Sequence, residues 1–415
     1  MGSASGKVVV VGGGVIGTAC AHYLMKAGRA VEIVEQGDFG RGCSHGNCGY
    51  VCPSHVLPLA QPGAIRGALR ALLSPNSPFA IRPRFDLALW GWLFRFARRC
   101  NQRDMLAAGK AIQALLASSR ALYDELFRGD QLDAEWETRG LVLVFQSQKA
   151  MSHYAETDRL LREQFDMGAV RYDGPALQAL EPALRSELAG GWHYPGDAHL
   201  RPDKLLASWR QLIESHGVVI HEQCAFHGLQ RDGDDWIVQT ARGPIPASAV
   251  VIATGAWTPL LRRQLQCRIP IQPGKGYSIT MARPAVCPKI PLLFEEHRVG
   301  VTPMRSGYRL GSTMEFAGYD ATLNRRRLDL LRYGAAHYLR EPYGEPVIEE
   351  WFGWRPMTSD GKPFIGMCPR LENVFVAAGH GMLGLSMAPA TGKLIAELVG
   401  GGNPHVDPAT YRIGR

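Results

Sequence analysis

The stretch that most constrains this chain lies near its N-terminus, at residues 7–35, and reads KVVVVGGGVIGTACAHYLMKAGRAVEIVE. Four valines run into a turn that carries three spaced glycines, Gly12, Gly14 and Gly17, and a helix with apolar periodicity follows. A second short strand, residues 30–34, leads to Glu35, about twenty residues after the last of these glycines. Strand, glycine turn, helix and terminal acid in this order predict a dinucleotide-binding site.

Each part of this unit has a physical role in the prediction. Gly12 makes the turn, Gly14 lets the backbone approach a pyrophosphate, and Gly17 lets helix and strand pack closely. Val15 and Ile16 open the helix, whose first N–H groups are free to meet phosphate oxygens. The carboxylate after the second strand accepts protons from the ribose hydroxyls, and its charge disfavours NADP because it would repel a 2′-phosphate.

Length and composition indicate a globular protein of about two or three domains. The 415 residues are 46% hydrophobic and 20% charged. No apolar run reaches the roughly 18 residues that span a bilayer, and the first apolar stretch is too short for a signal peptide. Nine scattered cysteines fit reduced thiols better than a disulfide framework. We therefore expect a cytoplasmic protein.

The net charge of +8 and the pI near 9.1 raise the question of an acidic partner. The arginines are spread along the chain, without a basic stripe interleaved with aromatics, so we expect no nucleic-acid partner. One segment, residues 87–99, combines two tryptophans, two phenylalanines and three arginines. It suits either an anionic membrane surface or the core, and the core is favoured because the aromatics fall on several sides of the helix.

The residues after Glu35 form a glycine-rich loop, in which main chain can lie flat against a ligand. Ser44, His45 and Asn47 are candidates for hydrogen bonds to that ligand. Cys43, Cys48 and Cys52 raise an iron–sulfur alternative, but their spacing fits no common pattern and a fourth cysteine is missing nearby. No residues show metal-ligand spacing, so we predict no metal.

Two later segments repeat the passage from a strand into a small-residue turn. VVIATGAW covers residues 250–257, and VFVAAGHGMLG covers residues 374–384. Together with the N-terminal unit and WRPMTSDGKPFIG at 354–366, these motifs resemble the D-amino acid oxidase superfamily of FAD enzymes, in particular its D-amino acid dehydrogenase and D-hydroxyproline dehydrogenase branch. The resemblance covers nearly the whole chain, and the order of the four motifs is what makes it specific.

The resemblance implies an α/β fold in which a Rossmann-like FAD domain is built from discontinuous segments, 1–52, 196–268 and 352–415. A substrate domain, 53–195 and 269–351, would be α+β, with a mostly antiparallel sheet and a helical insertion. The cofactor would be FAD, held without a covalent bond because no cysteine matches the attachment site of the related sarcosine oxidases. The implied and inferred cofactor contacts are Gly12, Gly14, Val15, Ile16, Gly17, Glu35, Gln36, Gly42, Cys43, Ser44, His45, Asn47, Gly49, Thr254, Gly255, Trp257, Gly379, His380, Gly381, Met382, Leu383 and Gly384.

Arg355 is the principal candidate in the substrate site. Its family counterpart grips the substrate carboxylate, which suits a planar guanidinium that forms two parallel charge-assisted hydrogen bonds. The alternative is a buried structural ion pair. Met314 and Glu315 lie on a strand that contributes to the pocket in the family. The tyrosine of several related oxidases has no clear match, and Tyr308 and Tyr277 are the nearby candidates.

The resemblance implies oxidation of the Cα–N bond of a D-amino acid or a cyclic D-imino acid, of the D-proline or 4-hydroxy-D-proline type. Hydride transfer to flavin N5 would give an imine or, after hydrolysis, a 2-oxo acid. The electron acceptor would be oxygen, a quinone of the respiratory chain or a partner subunit, with peripheral contact to the inner membrane face as an option. The alternatives are a glycine or sarcosine oxidase-like enzyme and a non-catalytic flavin subunit of a larger complex.

Overall fold

The computed structural model describes residues 6–72, 74, 76–130 and 132–415. Residues 1–5 of the first predicted FAD segment lie outside this range. The strands of the described chain are β1 Val8–Val11, β2 Val31–Val34, β3 Tyr50–Val51, β4 Phe79–Ile81, β5 Leu141–Phe145, β6 Val170–Asp173, β7 Gly190–Tyr194, β8 Ala198–His199, β9 Val219–His221, β10 Phe226–Asp232, β11 Asp235–Thr240, β12 Gly243–Ala247, β13 Ala249–Ile252, β14 Ile271–Met281, β15 Leu292–Phe294, β16 Val299–Met304, β17 Gly307–Phe316, β18 Val347–Thr358, β19 Phe364–Met367 and β20 Val374–Ala378.

Seven of the nine α-helices of the described chain lie between residues 15 and 215, interspersed with strands. The nine are α1 Val15–Lys26, α2 Ala64–Leu72, α3 Leu87–Arg99, α4 Gln102–Arg128, α5 Gln148–Phe165, α6 Gly174–Leu180, α7 Pro202–Ser215, α8 Arg325–Ala336 and α9 Gly384–Gly400. Two short 3-10 helices lie at Gly255–Leu261 and Pro408–Tyr411. Within the described residues, no helix combines the length and apolarity needed to cross a bilayer.

A six-stranded sheet in the order β19-β20-β13-β1-β2-β9 carries the N-terminal glycine turn. All its neighbours pair in parallel except β19, which runs antiparallel to β20. All four residues of β1 are buried, as expected for β-branched residues of a parallel sheet covered on both faces. All six strands fall within the three predicted FAD segments, whose domain assignment stays a prediction.

The second large sheet has nine strands and is mostly antiparallel. Its strand order is β18-β14-β17-β16-β15-β5-β7-β6, and β4 pairs with β17 at its side. Its long strand β14 lies between β17 and β18, and all eleven β14 residues are buried. The predicted β alternation over residues 269–311 is present here. The motif at 351–358 belongs to β18 and was not predicted as a strand, because its tryptophans, glycine and proline do not alternate in polarity.

Two predictions need revision, one for residues 226–247 and one for α3. The strand pair β10 and β12 flanks β11 in a separate three-stranded sheet, where only β11 was predicted. In α3, the favoured core position is correct for Leu89 and Trp92, which are buried, but not for Trp90 and Phe94, which are exposed. The indole Nε1 of Trp92 donates to the carbonyl of Met357 at 3.0 Å, which fixes α3 to the large sheet.

The first and last helices, α1 and α9, pack directly against each other at Gly392. A Cβ at this position would lie 2.4 Å from the Ala19 carbonyl oxygen and 2.9 Å from the Cys20 nitrogen. Because these neighbours are backbone atoms, they cannot move aside as a flexible side chain would. A glycine at 392 therefore lets the C-terminal helix approach the helix of the N-terminal turn.

We expect Gly392→Ala to lower the free energy of unfolding by about 1–3 kcal/mol, because the added methyl group forces α9 away from α1. Gly400→Ala is the matched control, since it lies in the same helix and a Cβ added there would have no atom within 4 Å. Urea unfolding of both variants measures the difference. Equal stability of the two would show that the helices are free to separate.

Candidate active site

Two of the three N-terminal glycines are required by packing within the protein. A Cβ at Gly12, where φ is +112°, would lie 2.6 Å from the Ala253 carbonyl oxygen, and one at Gly17 would lie 1.8 Å from the Gly12 carbonyl oxygen. Gly14 differs, because its Cβ would meet only the Ser44 hydroxyl, at 3.6 Å, an ordinary contact. Protein packing does not account for a glycine at 14, whereas space kept for a ligand does.

The N-terminus of α1 has the features of an anion site. Its N-cap residue is Gly14, without a side-chain cap, and its first turn carries no acid. Glu35 lies beside the turn, where its carboxylate accepts from the Gly13 N–H at 2.7 Å and the Gly37 N–H at 2.9 Å. The unit thus provides a positive helix end for phosphates and an acid at the end of the neighbouring strand.

The loop after β2 is held by the protein through the side chains predicted to meet a ligand. The Ser44 hydroxyl accepts from the Val15 N–H at 3.1 Å, and the Asn47 carboxamide oxygen accepts from the Gly49 N–H at 2.7 Å. The His45 ring lies 2.9 Å from Glu349. These contacts shape the loop, whereas Gly42 has no atom within 4 Å of a Cβ position and leaves its surface open. Gln36 and Cys43 lie in the same loop.

The other two predicted turns also follow parallel strands of the six-stranded sheet. Thr254 and Gly255 follow β13, and Trp257 lies in the 3-10 helix, where its ring meets the Trp354 ring edge-on at 5.4 Å. The turn 379–384 follows β20 and opens α9, which has no side-chain cap and no acid in its first turn. It contains Gly379, His380, Gly381, Met382, Leu383 and Gly384.

His380 has a structural account within this turn. It is buried, its ring Nε2 lies 3.0 Å from the Thr391 hydroxyl, and burial lowers its pKa to about 3. The ring is therefore neutral at physiological pH, so α9 presents its uncapped N-terminus without a nearby imidazolium charge.

Arg355 lies on β18, half-buried, with its guanidinium among protein atoms. Its Nη1 donates to the Thr313 carbonyl at 2.6 Å and its Nη2 to the Ser312 carbonyl at 3.3 Å. Among the described residues it forms no ion pair with a carboxylate, so the predicted alternative of a structural ion pair is wrong. Burial lowers the arginine pKa, and the nearby Cys43 and Cys48 oppose that shift. An enclosed cation without an anion is unfavourable unless a ligand supplies the charge.

The carbonyls that meet Arg355 come from a distorted part of β17. Ser312 has φ +113° and Thr313 has φ +46°, both in the region that favours glycine. The hydroxyls of Thr313 and of Ser278 are buried without a hydrogen-bond partner in the described chain. Strained backbone and unsatisfied buried hydroxyls beside an enclosed cation are typical of a binding site.

Apolar side chains line the sheet next to Arg355. A Cβ at Gly274 would lie 2.7 Å from Cγ of Met357 and 3.6 Å from Sδ of Met314. A Cβ at Gly381 would lie 3.8 Å from Sδ of Met357. Gly274 pairs with Arg355, and Met314 lies on the same face of the sheet. We call this side, which carries Arg355, Met314 and Met357, the Arg355 face. Met382 is 39% exposed beside it, in the turn before α9.

The other three substrate-site candidates lie on the opposite face of the sheet. Tyr277 donates to Glu315 at 2.7 Å, and the buried Tyr308 hydroxyl lies 3.3 Å from the Pro342 carbonyl oxygen, so neither tyrosine is free for a ligand at Arg355. Glu315 lines a separate cavity of about 380 Å³ with Lys275 and Asp320. Alternation along the strands separates these side chains from Arg355, and the structure gives no contact between the two groups.

A tyrosine does reach the Arg355 face, from a segment that sequence reasoning missed. Tyr50 follows the glycine-rich loop, and its hydroxyl donates to the carbonyls of Leu292 at 2.8 Å and Val301 at 3.1 Å. A Cβ at Gly300 would lie 2.9 Å from this hydroxyl. The glycine at 300 therefore leaves the space that this tyrosine occupies. Only the glycine itself signalled that another residue approaches there.

Comparisons with known proteins agree with this arrangement. Residues 7–398 match the family described as FAD dependent oxidoreductase. D-amino acid dehydrogenases of Granulibacter bethesdensis and Methylobacterium radiotolerans are each 32% identical to this chain, over 99% and 98% of it and 99% of their own lengths. The chain belongs to the FAD-dependent oxidoreductase family. This confirms the predicted superfamily and FAD as the cofactor.

Solved structures of family members share the fold. Glycine oxidase from Geobacillus kaustophilus superposes with a TM-score of 0.79 at 23% identity, covering 99% of both chains. L-proline dehydrogenase from P. horikoshii gives a TM-score of 0.70 at 18% identity, over 96% of this chain and 94% of its own. The α/β fold prediction is confirmed. In this FAD-dependent oxidoreductase, the open space at Gly14 and the N-termini of α1 and α9, whose N-cap residues make no side-chain hydrogen bond, fit an FAD.

Three side chains that could bind a metal come together from the residues after β3 and the residue before β8, although their spacing in the sequence showed no metal pattern. Ligand atoms of Cys52, His55 and Asp197 lie within 4.8 Å of one another. The Asp197 carboxylate accepts from the Ser54 hydroxyl at 2.6 Å and from the Ser54 N–H at 3.1 Å. These bonds link the β3 and β8 regions, and they give the carboxylate a structural account.

We expect Gly14→Val to fold normally and to lose FAD, because the valine fits beside Ser44 but fills the space for the pyrophosphate. Gly196→Ala is the control, because a Cβ added at Gly196 would have no atom within 4 Å. Flavin absorbance per chain and circular dichroism measure the two effects. A valine variant with full flavin content would show that the turn is only structural.

Asp197 gives a pH prediction, because burial raises its pKa from 3.8 to about 6. A raised carboxyl pKa contributes stability below about pH 4 that is lost as the pH rises through about 6. We expect wild type to lose about 2–2.5 kcal/mol relative to Asp197→Asn between about pH 4 and pH 7.5. Urea unfolding at both pH values tests this, with the exposed Asp234→Asn as control. Parallel curves for Asp197→Asn and wild type would contradict it.

Proposed function

We propose that this protein is an FAD-dependent dehydrogenase that oxidises the Cα–N bond of a D-amino acid or a cyclic D-imino acid. The observation that carries the proposal is the enclosed Arg355 guanidinium without a carboxylate partner in the described chain. A substrate carboxylate supplies the missing charge. The full-length relatives named D-amino acid dehydrogenase support the substrate class.

The chain's own groups bind and orient in this proposal. Arg355 holds the carboxylate, while two backbone carbonyls of β17 fix the guanidinium plane. The hydroxyls of Ser278 and Thr313 are buried in the same sheet without a hydrogen-bond partner in the described chain. Met314 and Met357 exclude water from the carbon side. When bound, FAD supplies the acceptor for the hydride that leaves Cα. Catalysis then rests mainly on orientation.

The apolar side of the site favours a substrate with a compact hydrocarbon part. Methionines adapt to irregular shapes, and Met314, Met357 and Met382 offer such a surface near Arg355. We include D-proline and 4-hydroxy-D-proline among the best substrates on this ground. The Tyr50 hydroxyl, already bonded to two carbonyls, bounds the site near Gly300 rather than leaving it open.

Two other functions have a specific observation behind them. The likeness to glycine oxidase favours a glycine or sarcosine-type amine oxidase, and the basic exposed segment at α3 favours a flavin subunit that delivers electrons to a partner or, through a membrane quinone, to the respiratory chain. Anaerobic mixing of the purified yellow protein with D-amino acids, D-proline, glycine and sarcosine separates them. Bleaching by D-amino or D-imino acids supports our proposal, and no bleaching by any of these supports a non-catalytic subunit.

We expect Arg355→Leu to keep FAD and the fold but to lose roughly a hundred- to a few-thousand-fold in kcat/KM, because a charge-assisted pair in an enclosed site contributes about 3–5 kcal/mol. Arg355→Lys should recover only part of this, since a point charge lacks the planar fork. Arg82→Leu is a control, because Arg82 is exposed and lies across the sheet from Arg355.

The same clamp predicts handedness, which steady-state rates on both enantiomers measure. With carboxylate and amine fixed, one enantiomer presents its Cα–H to the flavin, and the D form is expected. Comparable reduction by L-amino acids, or near-normal efficiency of Arg355→Leu, would refute the assignment of this arginine.

A further inference from the structure

The most exposed apolar side chains of the described chain are concentrated in one segment, residues 59–94. Phe85 is 92% exposed, Leu87 74%, Phe94 64% and Leu69 61%. No large apolar side chain elsewhere in the described chain reaches 60% exposure, the highest being Leu260 at 58%. Exposed apolar surface concentrated in this way marks an interaction site.

Helix α3 supplies one part of this surface and is two-sided. Leu89 and Trp92 point inward to Met314 and Met357 of the Arg355 face. Leu87, Trp90 and Phe94, spaced three and four residues apart, lie along the exposed side. The outer aromatics therefore contribute nothing to the core, although the same helix is firmly fixed to the sheet.

Helix α2 supplies a second part and has no buried residue. Ile65, Leu69 and Leu72 are spaced four and three residues apart, so they share one side, and each is at least 42% exposed. A helix with an apolar side that the described chain does not cover needs another medium for that side. Strand β4, which pairs with β17, connects α2 to α3 in the sequence. We call α2 and α3 together the two-helix surface.

The charge of this segment identifies the medium. Residues 63–104 contain eight arginines and two aspartates, a formal charge of +6 when the whole chain carries +8. Arg66, Arg70 and Arg95 are exposed and form no ion pair within the described residues. Unpaired arginines beside exposed tryptophan, phenylalanine and leucine match an anionic lipid surface. They disfavour a second copy of this chain, because like surfaces would repel each other.

We propose that the two-helix surface docks the enzyme on an anionic phospholipid bilayer. Leu69, Trp90 and Phe94 enter the interface, and Arg66, Arg70 and Arg95 meet the headgroup phosphates. The proposal deepens the membrane route to a quinone named above. The inner side of α3 packs on Met314 and Met357. Docking therefore places the Arg355 face close to the membrane, in which a lipid-soluble electron acceptor is dissolved.

The test is co-sedimentation of the FAD-loaded enzyme with vesicles of equal parts phosphatidylglycerol and phosphatidylcholine, compared with phosphatidylcholine alone. We expect binding to the anionic vesicles at low salt that weakens as salt is added. The Arg66→Ser, Arg70→Ser, Arg95→Ser variant should bind roughly a hundredfold more weakly, since each basic residue at an anionic surface contributes about fivefold. Leu69→Ser, Trp90→Ser, Phe94→Ser should lose binding at every salt concentration.

The matched control is Leu260→Ser, Arg262→Ser, Arg263→Ser, another exposed leucine beside two exposed arginines. It should bind as wild type does. Quenching by brominated lipids adds a local readout: Trp90→Phe should keep binding and lose much of the quenching. Wild type that stays in the supernatant, or a control as weak as the arginine variant, overturns the proposal.

Two further outcomes have separate meanings. Concentration-dependent self-association that Trp90→Ser abolishes, without vesicle binding, would assign the surface to a protein contact and overturn lipid docking. Flavin bleaching by D-amino acids in detergent-free solution should be the same in all these variants. A protein that binds vesicles but bleaches with no D-amino acid refutes the proposed substrate class and leaves the docking surface standing.

Discussion

The enclosed positive charge of Arg355 is the constraint around which the large sheet is arranged. A half-buried guanidinium needs hydrogen-bond acceptors around it, and here β17, which lies beyond β14 in the sheet, supplies two carbonyls from a stretch with positive φ. The space beside the side chain is cleared by Gly276, where a Cβ would lie 2.3 Å from the guanidinium carbon. The glycine at 276 and the positive φ values at 312 and 313 thus both accommodate the Arg355 side chain.

A second arginine holds the glycine-rich loop against this sheet. Arg309 is 1% exposed, donates to the carbonyls of Asn47 at 2.7 Å and His45 at 3.1 Å, and donates to the Thr280 hydroxyl at 2.9 Å. Its hydrogen bonds therefore connect the glycine-rich loop to β14 and β17. The loop lies in the predicted FAD segment 1–52 and the strands in the predicted substrate segment 269–351, so we infer that Arg309 positions these two segments relative to each other.

The sequence was sufficient wherever the chemistry is local. The run from Val8 to Glu35 folds as strand, turn and helix because each step is encoded within a few residues. Arg355 was proposed through the resemblance of the segment 354–366 to the family motif, and not from a local pattern. The misplacement of Tyr277, Tyr308 and Glu315 has the opposite origin: which face a strand residue occupies depends on register, and the distortion at residues 312–313 is set by tertiary contacts. Contacts between distant segments were likewise beyond local reasoning. Tyr50 meets Gly300 because its hydroxyl bonds to the carbonyls of Leu292 and Val301, which are 242 and 251 residues later in the chain.

The six-stranded sheet has a consequence for how the protein is made. Its first strand pairs with β13, about 240 residues later in the chain, and β13 pairs with β20, which lies near the C-terminus. During synthesis the N-terminal glycine turn emerges first but has no partner on one side until most of the chain has left the ribosome. Contacts of such long sequence separation make folding slow. The sheet that carries the N-terminal glycine turn is thus completed only after β20 has been synthesised.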